Sequence, residues 1–288
     1  MSAKVAIICL CYNHEKYVEE AMESVLNQTY ASELIVVDDA STDNSVDKIR
    51  NFIKQHPEEN INSMFFDENI GNCKAFNAAL MTTDADYIID LAADDVLLPT
   101  RVSEGTKNLD VNPSVAINFT NAEYIDEYGR FIKSHYLTDQ KGMAKERILE
   151  GDVFKELLQR YFICSPTMMY RASFLKRIGG YDEELAYEDF DIMLRLSRSN
   201  PFSYTDKVLV KKRVLKASMS TKQYKKGNKQ LESTLKICKK AFLMIQSEGE
   251  KKALLRRIVF EAKQAFIHKR FLLFSAFINL GVKTILQK

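Results

Sequence analysis

Two cycles in which a short β-branched apolar run gives way to a helical-period stretch fill the first third of the chain. "KVAIICLCYN" (4–13) and "ELIVVDD" (33–39) read as strands, while "HEKYVEEAMESVLNQ" (14–28) between them spaces Tyr17, Val18, Ala21, Val25 and Leu26 along one helical face. The second cycle runs through "SVDKIRNFIKQ" (45–55), a helix with Val46, Ile49 and Ile53 inward, and "INSMFFD" (61–67), a strand. It continues through "GNCKAFNAALMT" (71–82), a helix, and "DYIIDLA" (86–92), a strand. This alternation predicts an α/β fold with a mostly parallel sheet and helices on both faces. In such sheets ligands bind beyond the carboxyl ends of the strands. Asp38 and Asp39 end one strand and Asp94 and Asp95 follow another, so both acidic pairs are expected at one crevice.

Further along, "PTRVSEGTKNLDVNP" predicts a helix, and "SVAINFTNAEYID" with "GRFIKSHYL" predicts a strand pair about a turn at Glu127 to Gly129. "EGDVFKELLQRY" reads as a helix. The stretch from Cys164 to Ser199 reads as a strand, a short helix, a Gly-Gly turn and a helix beginning near Glu188. From about residue 229 the chain is helical, with Leu231, Leu235, Cys238, Phe242 and Ile245 on one stripe and Leu254, Leu255, Ile258, Val259, Ala262 and Phe266 on another. The expected division is an α/β domain over 1–220 and a basic amphipathic helical tail over 221–288.

Charge sharpens that division. Residues 207–288 hold 21 Lys or Arg against 4 Asp or Glu, and residues 1–206 hold 20 against 35, so a tail of +17 follows a body of −15. A basic tail of this kind suits an anionic surface. Its final stretch, "RFLLFSAFINLGVKTILQK", is apolar but shorter than the roughly 20 residues of a span and interrupted by Asn279 and Lys283. It reads as an interfacial helix at an anionic membrane surface, with Phe271, Leu272, Phe274, Phe277 and Ile278 entering the acyl boundary. The alternative for these helices is packing on the body or on a second copy in a homodimer. No leader or spanning helix opens "MSAKVAIICLCYNHEKY", and the five cysteines lack CxxC pairing, so the expected setting is cytoplasmic, peripheral on the inner face of the cell membrane. No nucleic acid partner is expected.

"DYIIDLAADDVLLPTR" places Asp94 beside Asp95 at the end of a buried run. Adjacent carboxylates repel and lose hydration on burial, so the pair calls for a cation or hydrogen-bond donors. The bland alternative is a helix N-cap ahead of "VLLPTR". None of the four histidines has HExxH-type spacing, which argues against a zinc site.

Five motifs in order, "VAIICLCYNHEKYVEEAMESVLNQTY", "ELIVVDDASTDNS", "ENIGNCKAFNAAL", "DYIIDLAADDVLLP" and "GGYDEELAYEDFDIMLRL", resemble the family-2 inverting glycosyltransferases of GT-A fold over about residues 3–220. The resemblance implies a Rossmann-like nucleotide-binding sheet, a nucleotide-diphospho-sugar donor and a Mg²⁺ or Mn²⁺ cofactor on its diphosphate. It also implies a saccharide or lipid-linked saccharide acceptor, whose hydroxyl attacks the anomeric carbon from the opposite face, in surface polysaccharide assembly. It assigns Tyr12 and Asp39 to the nucleotide. A carboxylate at Asp39 can accept from the imide of a uracil-like base, which favours a UDP-sugar, and Asp38 caps the following turn. Lys74 sits where a cation steadies the base or phosphates; the competing reading is a solvated helix lysine. Asp94 is expected on the ribose or the metal and Asp95 on the metal. Asp189 is expected to be the general base, with Glu188 orienting the acceptor, and Asp191 only to favour a helix N-terminus.

Two positions depart from the family pattern. Ala92 stands where an aspartate is usual, and Leu215, within "RVLKASMS" (213–220), where a histidine near the diphosphate is common. These departures imply either a weaker affinity for the metal or phosphates held by Arg213, Lys216, Ser218 or Ser220 instead. These departures motivate one alternative, a catalytically silent sugar-nucleotide-binding or scaffold protein. A signalling receiver would need its acidic pair after the first strand, which here ends "CLCYN". A nucleotidyltransferase would need a glycine-rich loop there, and "LCYNHEKY" has no glycine.

Overall fold

The apolar run Val5–Cys11 forms strand β1, which pairs in parallel with β2 (Glu33–Asp38) on one side and β4 (Tyr87–Ala92) on the other. β3 (Ile61–Phe65) adds to β2, again in parallel. The computed structural model describes residues 2–215 and 229–287. Two compact units make up the chain: Met1–Gly151, Ile163–Tyr181 and Pro201–Leu215 in the first, Asp152–Phe162, Asp182–Asn200 and Lys216–Lys288 in the second.

In the first unit β1 is buried on both faces. One face, Val5, Ile7, Cys9 and Cys11, packs with Val18, Ala21, Met22 and Val25 of α1 (Val18–Leu26), Ile49 and Phe52 of α2 (Ser45–Gln55), and Val102 and Leu109 of α4 (Arg101–Val111). Helix α3 (Asn72–Leu80) packs against β1 and β2 with Cys73, Ala75, Phe76, Ala79 and Leu80 buried. The predicted elements of this region stand within a few residues of their expected bounds, and all five cysteines are free and buried.

The sheet then turns mixed. Strand β6 (Ile117–Ile125) and β7 (Phe131–Ser134) form the expected antiparallel pair, and Gly129 takes φ +79° in the turn, a conformation that glycine adopts without penalty. β8 (Met169–Arg171) joins β4 to β6 antiparallel to both, and is followed by α6 (Ala172–Arg177). Two strands were not expected. β5 (Val96–Leu97) follows the acidic pair, which removes the N-cap alternative, because the next helix, α4, begins only at Arg101. β9 (Phe202–Arg213) runs parallel to β6 and antiparallel to β5, which completes a nine-stranded sheet in the order β3-β2-β1-β4-β8-β6-β9-β5 with β7 beside β6.

A buried cation ties α4 to this sheet. The fully buried guanidinium of Arg101 donates to Asn118 Oδ1 (3.3 Å), to the Asn118 carbonyl (3.1 Å) and to the Thr167 carbonyl (2.8 Å). Burial pulls its pKa down to about 9, which still leaves it charged at neutral pH. Gly105, one turn along α4, leaves the room this side chain needs.

The second unit is helical: α5 (Phe154–Gln159), α7 (Glu188–Ser197), α8 (Gln230–Met244), α9 (Glu248–Ile267) and α10 (Phe271–Leu286). Leu231, Leu235 and Cys238 of α8 and Leu254, Ile258 and Ala262 of α9 are buried as the stripes predict. Val259 and Phe266 are exposed instead, because the buried face of α9 extends from Leu254, Ile258 and Ala262 toward Ala253, Arg257, Glu261 and Ala265. Phe277, expected in lipid, is fully buried, and Phe274 is half-buried, since that side of α10 packs on α8 and α9. Among the described residues no helix is long and apolar enough to cross a membrane.

A Cβ at Gly105 would lie 2.4 Å from both Arg101 Nη1 and Met169 Sδ. Because Arg101 is held by three hydrogen bonds and cannot withdraw, Gly105→Ala is expected to destabilise the protein by about 1–3 kcal/mol, read as a lower urea midpoint at unchanged slope.

Candidate active site

The parallel register of β1 with its neighbours brings Cys11 level with Asp38 and Leu10 level with Ala92, so the residues that follow these strands share one edge of the first unit. Tyr12 leaves β1 there with 47% of its surface exposed. Asp38 is buried. Its Oδ1 accepts the Ser41 N–H (2.8 Å), the expected turn cap, while its Oδ2 is buried without a partner. Asp39 accepts the Ile70 N–H (2.8 Å) and the Gly71 N–H (2.9 Å), drawing the β3–α3 loop to the edge, with Gly71 at φ +89°. Lys74, in the first turn of α3, is exposed.

The loops "YNHE" and "ASTDNS" are laced together. Asn13 donates its N–H to Ser41 Oγ (2.8 Å) and accepts the Thr42 N–H on its side chain (2.7 Å). The His14 N–H donates to Ser45 Oγ (3.0 Å) and the Glu15 N–H to Asp43 (3.0 Å). These polar residues fix the shape of the edge.

Asp94 and Asp95 occupy the turn between β4 and β5. Asp94 is half-buried, but Asp95 is only 4% exposed, and its Oδ1 accepts the Arg213 N–H at 2.7 Å. Burial, and then the charge of Asp94, push the Asp95 carboxyl well above the usual carboxylate range. Arg213 is spent on the same turn. Its guanidinium donates to the Asp94 carbonyl (2.9 Å), to the Asp126 carbonyl (3.1 Å) and to the Glu20 carboxylate (2.5 Å), and lies 4.6 Å from the Tyr17 ring centroid. Arg213, expected on the phosphates, is therefore a clamp behind the acidic pair, because each of its three guanidinium nitrogens donates to a protein acceptor inside the unit. Lys216, Ser218 and Ser220 lie outside the described residues.

The donor set suits a divalent cation that arrives with a diphosphate. No cluster of three or more His, Cys, Asp or Glu able to cage a metal exists among the described residues. Mg²⁺ at a nucleotide needs only one or two protein carboxylates, the phosphates completing the shell. A cation beside Asp94 would also offset the charge that burial penalises in Asp95.

In the second unit Glu188 and Asp189 open α7. Asp189 is half-buried; its Oδ2 accepts the Tyr161 hydroxyl (2.6 Å) and its Oδ1 the Phe190 N–H (2.8 Å), which fixes the carboxylate plane. Asp191 does more than favour the helix start. It is buried and accepts from Arg195 Nε (2.6 Å) and Lys240 Nζ (2.7 Å), pinning α7 to α8. Sequence reasoning missed Tyr161 and Glu20. Tyr161 lies in no motif and Glu20 is only a helix-surface glutamate within the first one, and neither carries a signal by itself.

A model described as Glycosyl transferase family 2 matches residues 6–179. The chain is 27% identical over 216 residues to an uncharacterized glycosyltransferase of Methanocaldococcus jannaschii, covering 73% of this chain and 70% of that protein. Other curated relatives are longer, the matched stretch spanning as little as 28% of one of them. Among solved structures, S. aureus TarS 1–349 in complex with UDP-GlcNAc superposes with a TM-score of 0.68 at 20% identity, covering 91% of this chain and 72% of that one. The mannosyltransferase PcManGT from Pyrobaculum calidifontis, in complex with GDP-Man and Mn²⁺, gives 0.63 at 14% identity, covering 100% and 88%. These likenesses establish the GT-A fold.

Arg213→Met removes every donor from the clamp while retaining bulk. It strands two carbonyls, although Glu20 can turn to solvent, so a loss of about 1–3 kcal/mol in a urea titration is expected. Arg213→Lys should recover only part of it, because one ammonium cannot span three separated acceptors.

Proposed function

The chain belongs to glycosyl transferase family 2 and is a nucleotide-sugar glycosyltransferase, and from that premise we propose that it transfers the sugar with inversion from a UDP-sugar to a saccharide or lipid-linked acceptor hydroxyl in surface polysaccharide assembly. The observation that supports this most is the sharing of one strand edge by Tyr12, Asp38, Asp39, Asp94 and Asp95. An exposed ring beside hydrogen-bond acceptors suits a nucleobase, and adjacent carboxylates suit a metal-bound diphosphate.

In this reading Tyr12 stacks on the base and Asp39 accepts from its imide, the acceptor capacity left beyond Ile70 and Gly71 being sufficient since each carboxylate oxygen has two lone pairs. Lys74, solvent-facing on α3, lends positive charge toward the nucleotide. Asp94 and Asp95 hold the Mg²⁺ or Mn²⁺, with Asp94 the more accessible donor. The bound cation supplies neutralisation of the departing diphosphate. Asp189 removes the acceptor proton as the hydroxyl attacks, and Glu188 orients the acceptor. Tyr161, donating to Asp189 Oδ2, leaves Oδ1 as the oxygen whose protein donor is a backbone amide. Residues 1–220 form the catalytic part and 221–288 the tail that holds the enzyme at the inner face of the cell membrane; the second compact unit joins that tail to the segment bearing Asp189.

Asp189→Asn keeps the shape but cannot take a proton, so turnover of the accepted donor is expected to fall by about 10²-fold or more while UDP binding by calorimetry survives. Near-normal transfer by the folded variant would remove the assignment. Asp94→Asn and Asp95→Asn are each expected to abolish the Mn²⁺-dependent part of UDP binding in titrations with and without EDTA. Neither variant should lower the melting temperature, because asparagine at position 95 still offers an oxygen to the Arg213 N–H and removes a carboxylate that burial and Asp94 penalise.

A further inference from the structure

Helices α9 and α10 form a hairpin, and its turn is unusual for a water-facing surface. Phe266, Ile267, Phe271 and Leu272 are all exposed there, Leu272 at 89%. The Phe266 ring centroid lies 6.0 Å from that of Phe271 and 5.4 Å from that of Phe274, so the aromatic groups form one cluster across the turn. Lys269 makes the reversal with φ +56° and is exposed between them, beside exposed His268. Away from the turn exposed apolar residues continue, Val259 and Phe260 on α9 and Ile278, Val282, Ile285 and Leu286 on α10, but polar and charged groups separate them. Lys252, Arg256 and Lys263 interrupt the outer side of α9, and Asn279 and Lys283 that of α10. Contiguous apolar patches of this kind mark interaction surfaces.

Charge selects among the occupants. Residues 248–287 carry eight Lys or Arg and three Glu. Two of those glutamates are withdrawn: Glu250 is buried on Arg198 (2.9 Å) and Glu261 on Arg257 (3.1 Å). The exposed side of the hairpin is thus both apolar and cationic. A second copy would bring the same positive charge against it, whereas an anionic bilayer offers acyl chains for the rings and headgroups for the ammonium groups.

We propose that the α9–α10 turn is a membrane-inserting tip, in which Phe266, Ile267, Phe271 and Leu272 enter the acyl boundary of an anionic bilayer and Lys269 stays at the headgroups. This rests on the reading of the tail as a membrane contact and specifies which part enters the lipid. Insertion by the tip differs from a helix lying flat. The far end of α10, at Ile285, is about 20 Å from Leu272 along the helix axis and remains outside the bilayer.

The chain contains no tryptophan, so one introduced indole reports without background. Leu272→Trp, Ile285→Trp and Leu243→Trp, all at exposed positions, are made singly in the full chain. Each is mixed with phosphatidylcholine vesicles with and without phosphatidylglycerol, some carrying brominated acyl chains. Tip insertion predicts a blue shift and bromine quenching for Leu272→Trp alone, and only with the anionic lipid. It also predicts a loss of about tenfold or more in vesicle co-sedimentation for the Phe271→Ser, Leu272→Ser double variant. Equal quenching at positions 272 and 285 would overturn the tip and leave a flat-lying tail. Failure of the unsubstituted protein to sediment with anionic vesicles would overturn the membrane reading itself. A blue-shifted Leu272→Trp without lipid, with a dimer in sedimentation velocity, would replace the bilayer by a second copy. Circular dichroism melts confirm that each variant is folded.

Discussion

Parallel pairing of β1 with both β2 and β4 is the constraint on which the rest of the first unit depends. Parallel strands start and end level, so Tyr12, Asp38, Asp39 and the Asp94–Asp95 turn reach one edge without any long-range steering. An antiparallel neighbour in either place would send one acidic pair to the opposite end of the sheet. The short polar loops then act on an edge already formed. Asp39 draws in the Ile70–Gly71 backbone, and Asn13 and Ser41 couple the loops after β1 and β2.

Buried charge is handled in two contrasting ways around this frame. Arg101 has only neutral acceptors, two carbonyls, an asparagine side chain and the Met169 sulfur, and its fully buried position lowers its pKa because no carboxylate repays the lost hydration. It fastens α4 to β6 and to the Ser165–Thr167 turn, work for which a fork of donors is better suited than a point charge. Arg213 has one carboxylate, Glu20, and two carbonyls, and its own N–H goes to Asp95. One residue therefore supports the acidic turn through both backbone and side chain. The last residue of β9 thus fixes the geometry of a pair set more than a hundred residues earlier in the chain.

The sequence made the α/β alternation legible because β1 and β2 are buried on both faces and read as apolar runs, as does β4 apart from Asp90. It hid β9, whose residues "FSYTDKVLVKKR" neither alternate cleanly nor run apolar. The reason lies in its partner: the β6–β9 register shifts between Thr120 and Asn121 and again between Asn121 and Ala122, so the inward side of the strand changes along its length. β5 is two residues long and below the reach of any periodicity. The meeting of the acidic pairs at one edge was legible because they terminate or follow parallel strands. The role of Arg213 was misread, since its partners come from α1, the β4–β5 turn and the β6–β7 turn, which no spacing rule connects. In the tail Leu231, Leu235 and Cys238 of α8 and Leu254, Ile258 and Ala262 of α9 read correctly, whereas Val259 and Phe266 did not, because burying Arg257 with Glu261 runs against hydrophobicity.

Ala92, where the family commonly has another aspartate, gains a physical meaning in this setting. Asp95 is sealed behind Arg213 and already burdened by burial and by the charge of Asp94. A third carboxylate at the end of β4 would add like charge beside a buried group that has only a backbone amide and nearby basic residues to offset it. With alanine there, the turn keeps one half-buried carboxylate, Asp94, and one buried one, Asp95. In the proposed reading such a pair would leave most of a cation's coordination to the phosphates it accompanies. Affinity for the metal would then follow affinity for the nucleotide, and the two would be acquired and released together.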